Sequence, residues 1–204
     1  MKVKMCGINN SKQLENLIES SVDMIGLNFY SKSKRYVISD ALSEVSIADK
    51  ELVGVFVNET IDKIKYLNAI YDFSYIQCHG HESHIKCSEI QRIQKIIKVF
   101  SISEAKDLEA TKEFEFSDLF LFDTQTKEYG GSGRKFNWSL LNEYKGEVPF
   151  LLAGGITPDD VKAIKKIDHP QFYGVDINSK FEIRPGYKNI KAVELFTKAI
   201  KSTV

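Results

Sequence analysis

Two side chains remote in the chain offer most of the chemistry in this sequence. Cys6 closes the apolar run KVKMC and is followed by Gly7, while Asp123 closes LFLFD and leads into TQTKEYGGSGRK, which carries Gly130, Gly131 and Gly133. A thiol serves as a base when a cation favours its thiolate, and Lys4 is such a cation if its strand turns that face toward the site. A carboxyl group held partly out of water donates protons near neutral pH. Each residue also has a plainer reading, a small inert core side chain for Cys6 and a turn or helix cap for Asp123. The glycines after Asp123 fit a lid over a binding mouth better than a tight cap.

Other polar groups close the remaining apolar runs. They are Tyr30 with the basic loop SKSKRY, Asn58, Gln77-Cys78-His79-Gly80, Ser101, Gly154-Gly155, and Asp176 with Asn178 and Ser179. Gly154 and Gly155 precede a capped helix start, Thr157-Pro158-Asp159-Asp160, and together with DINS they suit a phosphate held by backbone N–H groups. Two tight turns that need glycine for geometry are the alternative. GGSGRK lacks the spacing of a nucleotide phosphate loop, which excludes that motif. Arg35 is either a solvated surface charge or, with its planar fork, a grip for a carboxylate. His79 reads as a structural or supporting hydrogen-bond partner ahead of a base.

Elements that could position these groups follow from patterning. Eight runs (KVKMC, MIGLNF, LVGVFV, FSYIQC, IIKVFSI, LFLFD, PFLLAG and FYGVDI) are nearly continuous in Ile, Val, Leu and Phe, as parallel strands buried on both faces are. Helical spacing between them places Leu14, Leu17 and Ile18 on one face, Ile61, Ile64 and Leu67 on another, and Val193, Phe196 and Ile200 on a third. A helix after every strand predicts one (β/α)8 barrel over residues 1–204, with its site at the C-terminal ends of the strands. An open doubly wound sheet is the competing architecture, but its Gly-x-Gly-x-x-Gly fingerprint does not follow the first strand.

Composition narrows the function. The chain has 204 residues, 43% of them hydrophobic, enough for a core without metal or disulfide staples. Cys6, Cys78 and Cys87 have no paired spacing, so they are expected to be free thiols, with Cys78 and Cys87 packing or surface groups. The 28 basic and 28 acidic residues balance, which argues against a nucleic-acid partner. No apolar run reaches the roughly 20 residues of a membrane span, and no secretory signal opens the chain, so a cytoplasmic location is expected. The expected partner is a small-molecule substrate, with the chain a monomer or homodimer.

Seven segments then resemble one family, phosphoribosylanthranilate isomerase of tryptophan biosynthesis. They are KMCGI, GLNFYSKSKRYV, VGVFVNE, IQCHG, LFDTQTKEYGGSGRKFNWSLL, LLAGGITPDDV and GVDINSKFE followed by PG, in the family's order over essentially the whole chain. The resemblance implies a cofactor-free and metal-free Amadori rearrangement of N-(5-phosphoribosyl)anthranilate to 1-(o-carboxyphenylamino)-1-deoxyribulose 5-phosphate. It implies Asp123 as general acid and Cys6 as general base. Arg35 falls where the family holds the anthranilate carboxylate, and Gly154, Gly155, Asp176 and Ser179 fall on its phosphate loops; Gln77, His79 and Asn178, read at the same strand ends, are expected as further substrate contacts. The sequence departs from the family at Ser31, Lys34, Cys78 and Asn178-Ser179-Lys180, where Lys180 replaces a glycine and either reshapes the loop or adds a charge beside the phosphate. A related sugar-phosphate aldose-ketose isomerase and a non-catalytic sugar-phosphate-binding barrel are the alternatives.

Overall fold

The computed structural model describes residues 1–47, 49–124 and 135–202. Eight parallel strands close into a barrel in chain order: β1 (Lys2–Ile8), β2 (Met24–Asn28), β3 (Glu51–Phe56), β4 (Tyr75–Cys78), β5 (Ile96–Ile102), β6 (Leu119–Thr124), β7 (Phe150–Leu152) and β8 (Phe172–Ile177). β8 pairs with β1, which brings Asp176 opposite Lys4 and joins the two ends of the chain.

Strand alternation divides the buried residues into two layers. Cys6, Met24, Val53, Val55, Ile97, Val99, Leu119, Leu121, Leu151 and Ala153 pack together inside the barrel. Phe120, Phe122 and Phe150 face the outer layer, where the Phe122 and Phe150 ring centroids lie 4.9 Å apart. Because Leu119 and Leu121 point inward, the same period turns Asp123 inward at the strand's C-terminal end.

Helices α1 (Ser11–Ile18), α2 (Ile61–Tyr71), α3 (His84–Gln91), α4 (Val161–Ile164) and α5 (Ile190–Lys201) lie outside the barrel. The faces expected from spacing are the faces buried: Leu14 and Leu17, Ile64 and Leu67, and Val193, Phe196 and Ile200. Asn10, Thr60 and Asn189 cap their helices by accepting the backbone N–H three residues on. Thr157 opens the seventh connection as expected, with Pro158 in the first turn and the Asp160 carboxylate accepting from Thr157 N at 2.6 Å.

A helix does not follow every strand. Among the described residues, the connection from β2 to β3 is built of turns, and those after β5 and β6 carry 3₁₀ helices, Ala105–Phe114 and Trp138–Glu143. The β2–β3 segment is rich in Ser and Asp, whose side chains compete with helical backbone bonding. Ser33 Oγ accepts from Arg35 N and Ser43 Oγ donates to Asp40 O. After β8 the chain adds a 3₁₀ turn, Ser179–Phe181, and a small antiparallel ribbon, β9 (Glu182–Arg184) with β10 (Tyr187–Lys188), before α5.

Candidate active site

β1 presents Lys4 and Cys6 on its inner face. The Lys4 side chain is fully buried and its Nζ donates to Asp176 Oδ1 at 3.0 Å. Gly26, the β2 neighbour of Cys6, makes room for both groups: a Cβ there would lie 2.9 Å from Cys6 Sγ and 3.2 Å from Lys4 Nζ. The thiol and the ammonium therefore share one small space. Burial pushes the Cys6 thiol up, while the Lys4 charge draws it back only in part. Burial also works against the Lys4 charge, but the Asp176 carboxylate and the Cys6 sulfur together outweigh it and raise the ammonium above its ordinary range.

On β6, the Asp123 side chain is 20% exposed, so it touches the mouth yet has lost most of its water. Burial raises its pKa to about 6 against the opposing Thr124 N–H, which donates to Oδ1 at 2.7 Å. His79 Nε2 stands 3.9 Å from Asp123 Oδ2. Burial lowers His79 to about 4, with the Lys4 charge adding to it, so the ring is neutral at pH 7. Gln77 Nε2 lies 2.8 Å from His79 Nδ1, and with the amide as donor the ring proton sits on Nε2, facing Asp123. Gly154 has φ +89°, and a Cβ there would strike Thr124 Oγ1 and come within 2.9 Å of Asp123 Oδ1. Glycine at this position lets the β7 loop close directly over the acid.

A second charged group lies beside Cys6. Arg35 Nε and Nη2 donate to the two Glu182 oxygens at 2.8 and 2.6 Å, a two-point ion pair. Glu182 Oε1 also accepts from Lys188 Nζ at 2.7 Å and Gly186 N at 3.0 Å. Lys188 Nζ in turn donates to Asn178 Oδ1 at 2.6 Å. Burial lifts the Glu182 carboxyl, but its bonds to Arg35 and Lys188 bring it below the usual range, so it is charged. The stem of Arg35 crosses Gly7, where a Cβ would sit 2.5 Å from Arg35 Cδ and 3.0 Å from Asn178 Oδ1.

A third group braces the ends of β3 and β4. Glu82 accepts from Asn58 N at 2.7 Å, Gly80 N at 3.0 Å and Lys98 Nζ at 3.0 Å, all next to His79. Cys78 and Cys87 are buried on the outer side of the barrel, and the Cys78 thiol is pushed up by its hydrogen bond to Cys87 and by burial.

The structure thus gathers the expected residues at one end of the barrel, and two of them are paired within the protein. Asp176 is buried at the end of β8 as the partner of Lys4. Arg35 is not a lone surface cation, since Glu182 occupies one edge of its fork. Gly155 and Ser179 lie on the loops after β7 and β8, Gly155 with φ +63°. Lys180 is exposed. The glycines expected to form a lid, Gly130, Gly131 and Gly133, lie outside the described residues. Sequence reasoning missed Glu182, Lys188, Glu82 and Lys98; the density of charge in KFEIRPGYK was a signal for the first two, and nothing in the sequence marked Glu82 or Lys98. Among the described residues no cluster of His, Cys, Asp and Glu could hold a metal ion, and no helix is long and apolar enough to cross a membrane.

An acid poised near neutral pH and a thiol beside an ammonium, at the C-terminal mouth of a parallel eight-stranded barrel, define a (β/α)8 enzyme of proton transfer. Residues 3–199 match the family model of N-(5'-phosphoribosyl)anthranilate (PRA) isomerase. The isomerase of Parabacteroides distasonis is 41% identical over 98% of this chain and 93% of its own length. The crystal structure of the Thermotoga maritima isomerase superposes with a TM-score of 0.86 at 33% identity, covering 98% of each chain. A structure of the isomerase in complex with reduced 1-(o-carboxyphenylamino)-1-deoxyribulose 5-phosphate gives 0.84 at 30% identity, again over 98% of each chain. The chain belongs to the N-(5'-phosphoribosyl)anthranilate isomerase family and has that family's activity, the aldose-ketose isomerisation step of tryptophan biosynthesis.

Proposed function

We propose that this site carries out the rearrangement with Asp123 as general acid and Cys6 as general base. Asp123, protonated for part of the population at neutral pH, donates to the furanose ring oxygen. The C1–O bond breaks and the anthranilate nitrogen supplies the electron pair that forms the iminium. The iminium acidifies C2–H, and the Cys6 thiolate takes that proton to give an enolamine. The enolamine then loses its O2 proton and gains one at C1, leaving the ketone.

Lys4 supports the thiolate at the moment it is needed. Burial alone would keep Cys6 protonated, but the adjacent ammonium, together with the new positive charge on the substrate, favours the anion. His79, neutral with its proton on Nε2, faces the Asp123 carboxyl from 3.9 Å, beyond direct hydrogen-bond distance. Gln77 Oε1 is buried without a hydrogen-bond partner among the described residues, and a substrate hydroxyl would supply one. Gly154, Gly155, Asn178 and Ser179 carry the backbone that receives the phosphate, and Arg35 receives the anthranilate carboxylate. Asp176 acts on substrate only through Lys4.

The observation that carries this assignment is the carboxyl held at about 6 on β6, across the mouth from a thiol that shares its space with an ammonium on β1. Loss of phosphoribosylanthranilate fluorescence tests it. Cys6→Ala and Asp123→Asn should each lower kcat by roughly 10²- to 10⁴-fold with circular dichroism unchanged. Turnover at the parental rate in either folded variant overturns the assignment. The same reading takes the chain as one cytoplasmic domain, in keeping with three free thiols, working as a monomer or homodimer. The Thermotoga maritima relative is described both as dimeric and as monomers generated from that dimer.

A further inference from the structure

We propose that Glu182 is the positioning residue for Arg35, presetting its guanidinium so that one edge is fixed within the protein and the other is offered to the substrate's carboxylate. This inference rests on the placement of that carboxylate at Arg35 and extends it to a residue that does not itself touch substrate.

A guanidinium presents two edges that can each take a carboxylate at two points, Nε with Nη2 and Nη1 with Nη2. Glu182 takes the first at 2.8 and 2.6 Å. Among the described residues no acceptor meets Nη1, so the second edge is available on a side chain whose own stem is packed across Gly7, the residue after Cys6. The Glu182 side chain is itself 4% exposed and tied to Lys188 and Gly186, so the anchor cannot swing away with the arginine.

Charge balance points the same way. Arg35 and Lys188 contribute two positive charges and Glu182 one negative, leaving one uncompensated positive charge beside the thiol, enough for a single carboxylate. An arginine without this clamp would have to give up rotamer freedom on binding, a large entropic cost for so long a side chain. With the clamp that loss is already incurred in the free protein.

The test compares two ligands on the full-length protein by calorimetry: the reduced product analogue, and the same molecule without its ring carboxylate. The parent should prefer the carboxylated analogue. Glu182→Gln, which keeps shape and removes charge, should weaken that ligand by about 10- to 100-fold and leave the other within about twofold. In turnover the loss should fall on KM far more than on kcat. In an Arg35→Gln background the same substitution should cost nothing further, and this cycle remains informative if the single variant is poorly stable. Equal weakening of both ligands would make Glu182 merely structural. Tighter binding of the carboxylated ligand by Glu182→Gln would make Glu182 a competitor for Arg35, the opposite role. A parent protein with no preference for the carboxylate would instead remove the placement at Arg35, and this inference with it.

Discussion

The raised carboxyl of Asp123 should make the acid a source of instability, and the sign of its pH dependence can be worked out. Its pKa rises from 3.8 to about 6 in the folded protein because burial disfavours the charged form. A folded pKa above the unfolded one means that the native state holds the proton more tightly. Native stability is therefore undiminished below about pH 4, falls as pH rises through about 6, and stays lowered above that. Two pK units correspond to roughly 3 kcal/mol, and the residual exposure of the side chain brings this toward 2. Asp123→Asn keeps the shape and the acceptor for Thr124 N–H but cannot ionise. It should be inactive yet more stable than the parent, by about 2–3 kcal/mol near pH 8 and by roughly half that near pH 5. For a chain of this size the pH 8 gain corresponds to a Tm increase of roughly 5–9 °C. Urea unfolding of both proteins across that pH range measures the gap. A gap independent of pH, or a variant less stable than the parent at pH 8, would refute the claim that desolvation raises this carboxyl.

Other perturbations follow from the same contacts. Lys4→Met removes the charge beside Cys6 and should move the pH midpoint of Cys6 alkylation upward, read by mass spectrometry against Cys78 and Cys87; it should also cost about 3–5 kcal/mol by leaving Asp176 buried and unpaired. Gly154→Ala forces a side chain into φ +89° and onto Thr124 Oγ1, so it should cost at least about 1–2 kcal/mol in thermal melts and lower kcat by displacing the acid. Lys98→Met strips Glu82 of its buried cation and should lower stability by about 3–5 kcal/mol, seen as an earlier urea midpoint, because Glu82 braces Asn58 and Gly80. His79, held at about 4 against an ordinary 6.5, resists the charge that an unfolded histidine takes up; its contribution is intact above about pH 6.5 and is lost as pH falls toward 4, so His79→Gln should flatten acid denaturation by about 3 kcal/mol over that window.

What could be read from the sequence and what could not divide along one physical line. Strands were legible because burial on both faces leaves runs such as LFLFD almost uninterrupted, and Asp123 stood out as the polar residue ending one. The faces of α1, α2 and α5 were legible from spacing, since each had only to match a single apolar layer. The connection between β2 and β3 is turns where the repeat predicts a helix, because serine hydroxyls there bond to nearby backbone, which spacing does not register. Charged partners were the least legible. Lys4 and Asp176 are 172 residues apart, and Arg35 and Glu182 147, so their pairings exist only because β8 closes against β1 and the ribbon after β8 folds beside the β2 loop. A lysine in an apolar run looks like a solvated end until closure supplies its carboxylate. Each such pair is costly to bury and stands at the mouth where burial raises both the thiol and the acid and the Lys4 charge opposes it only in part, so closure of the barrel and tuning of the site are one event.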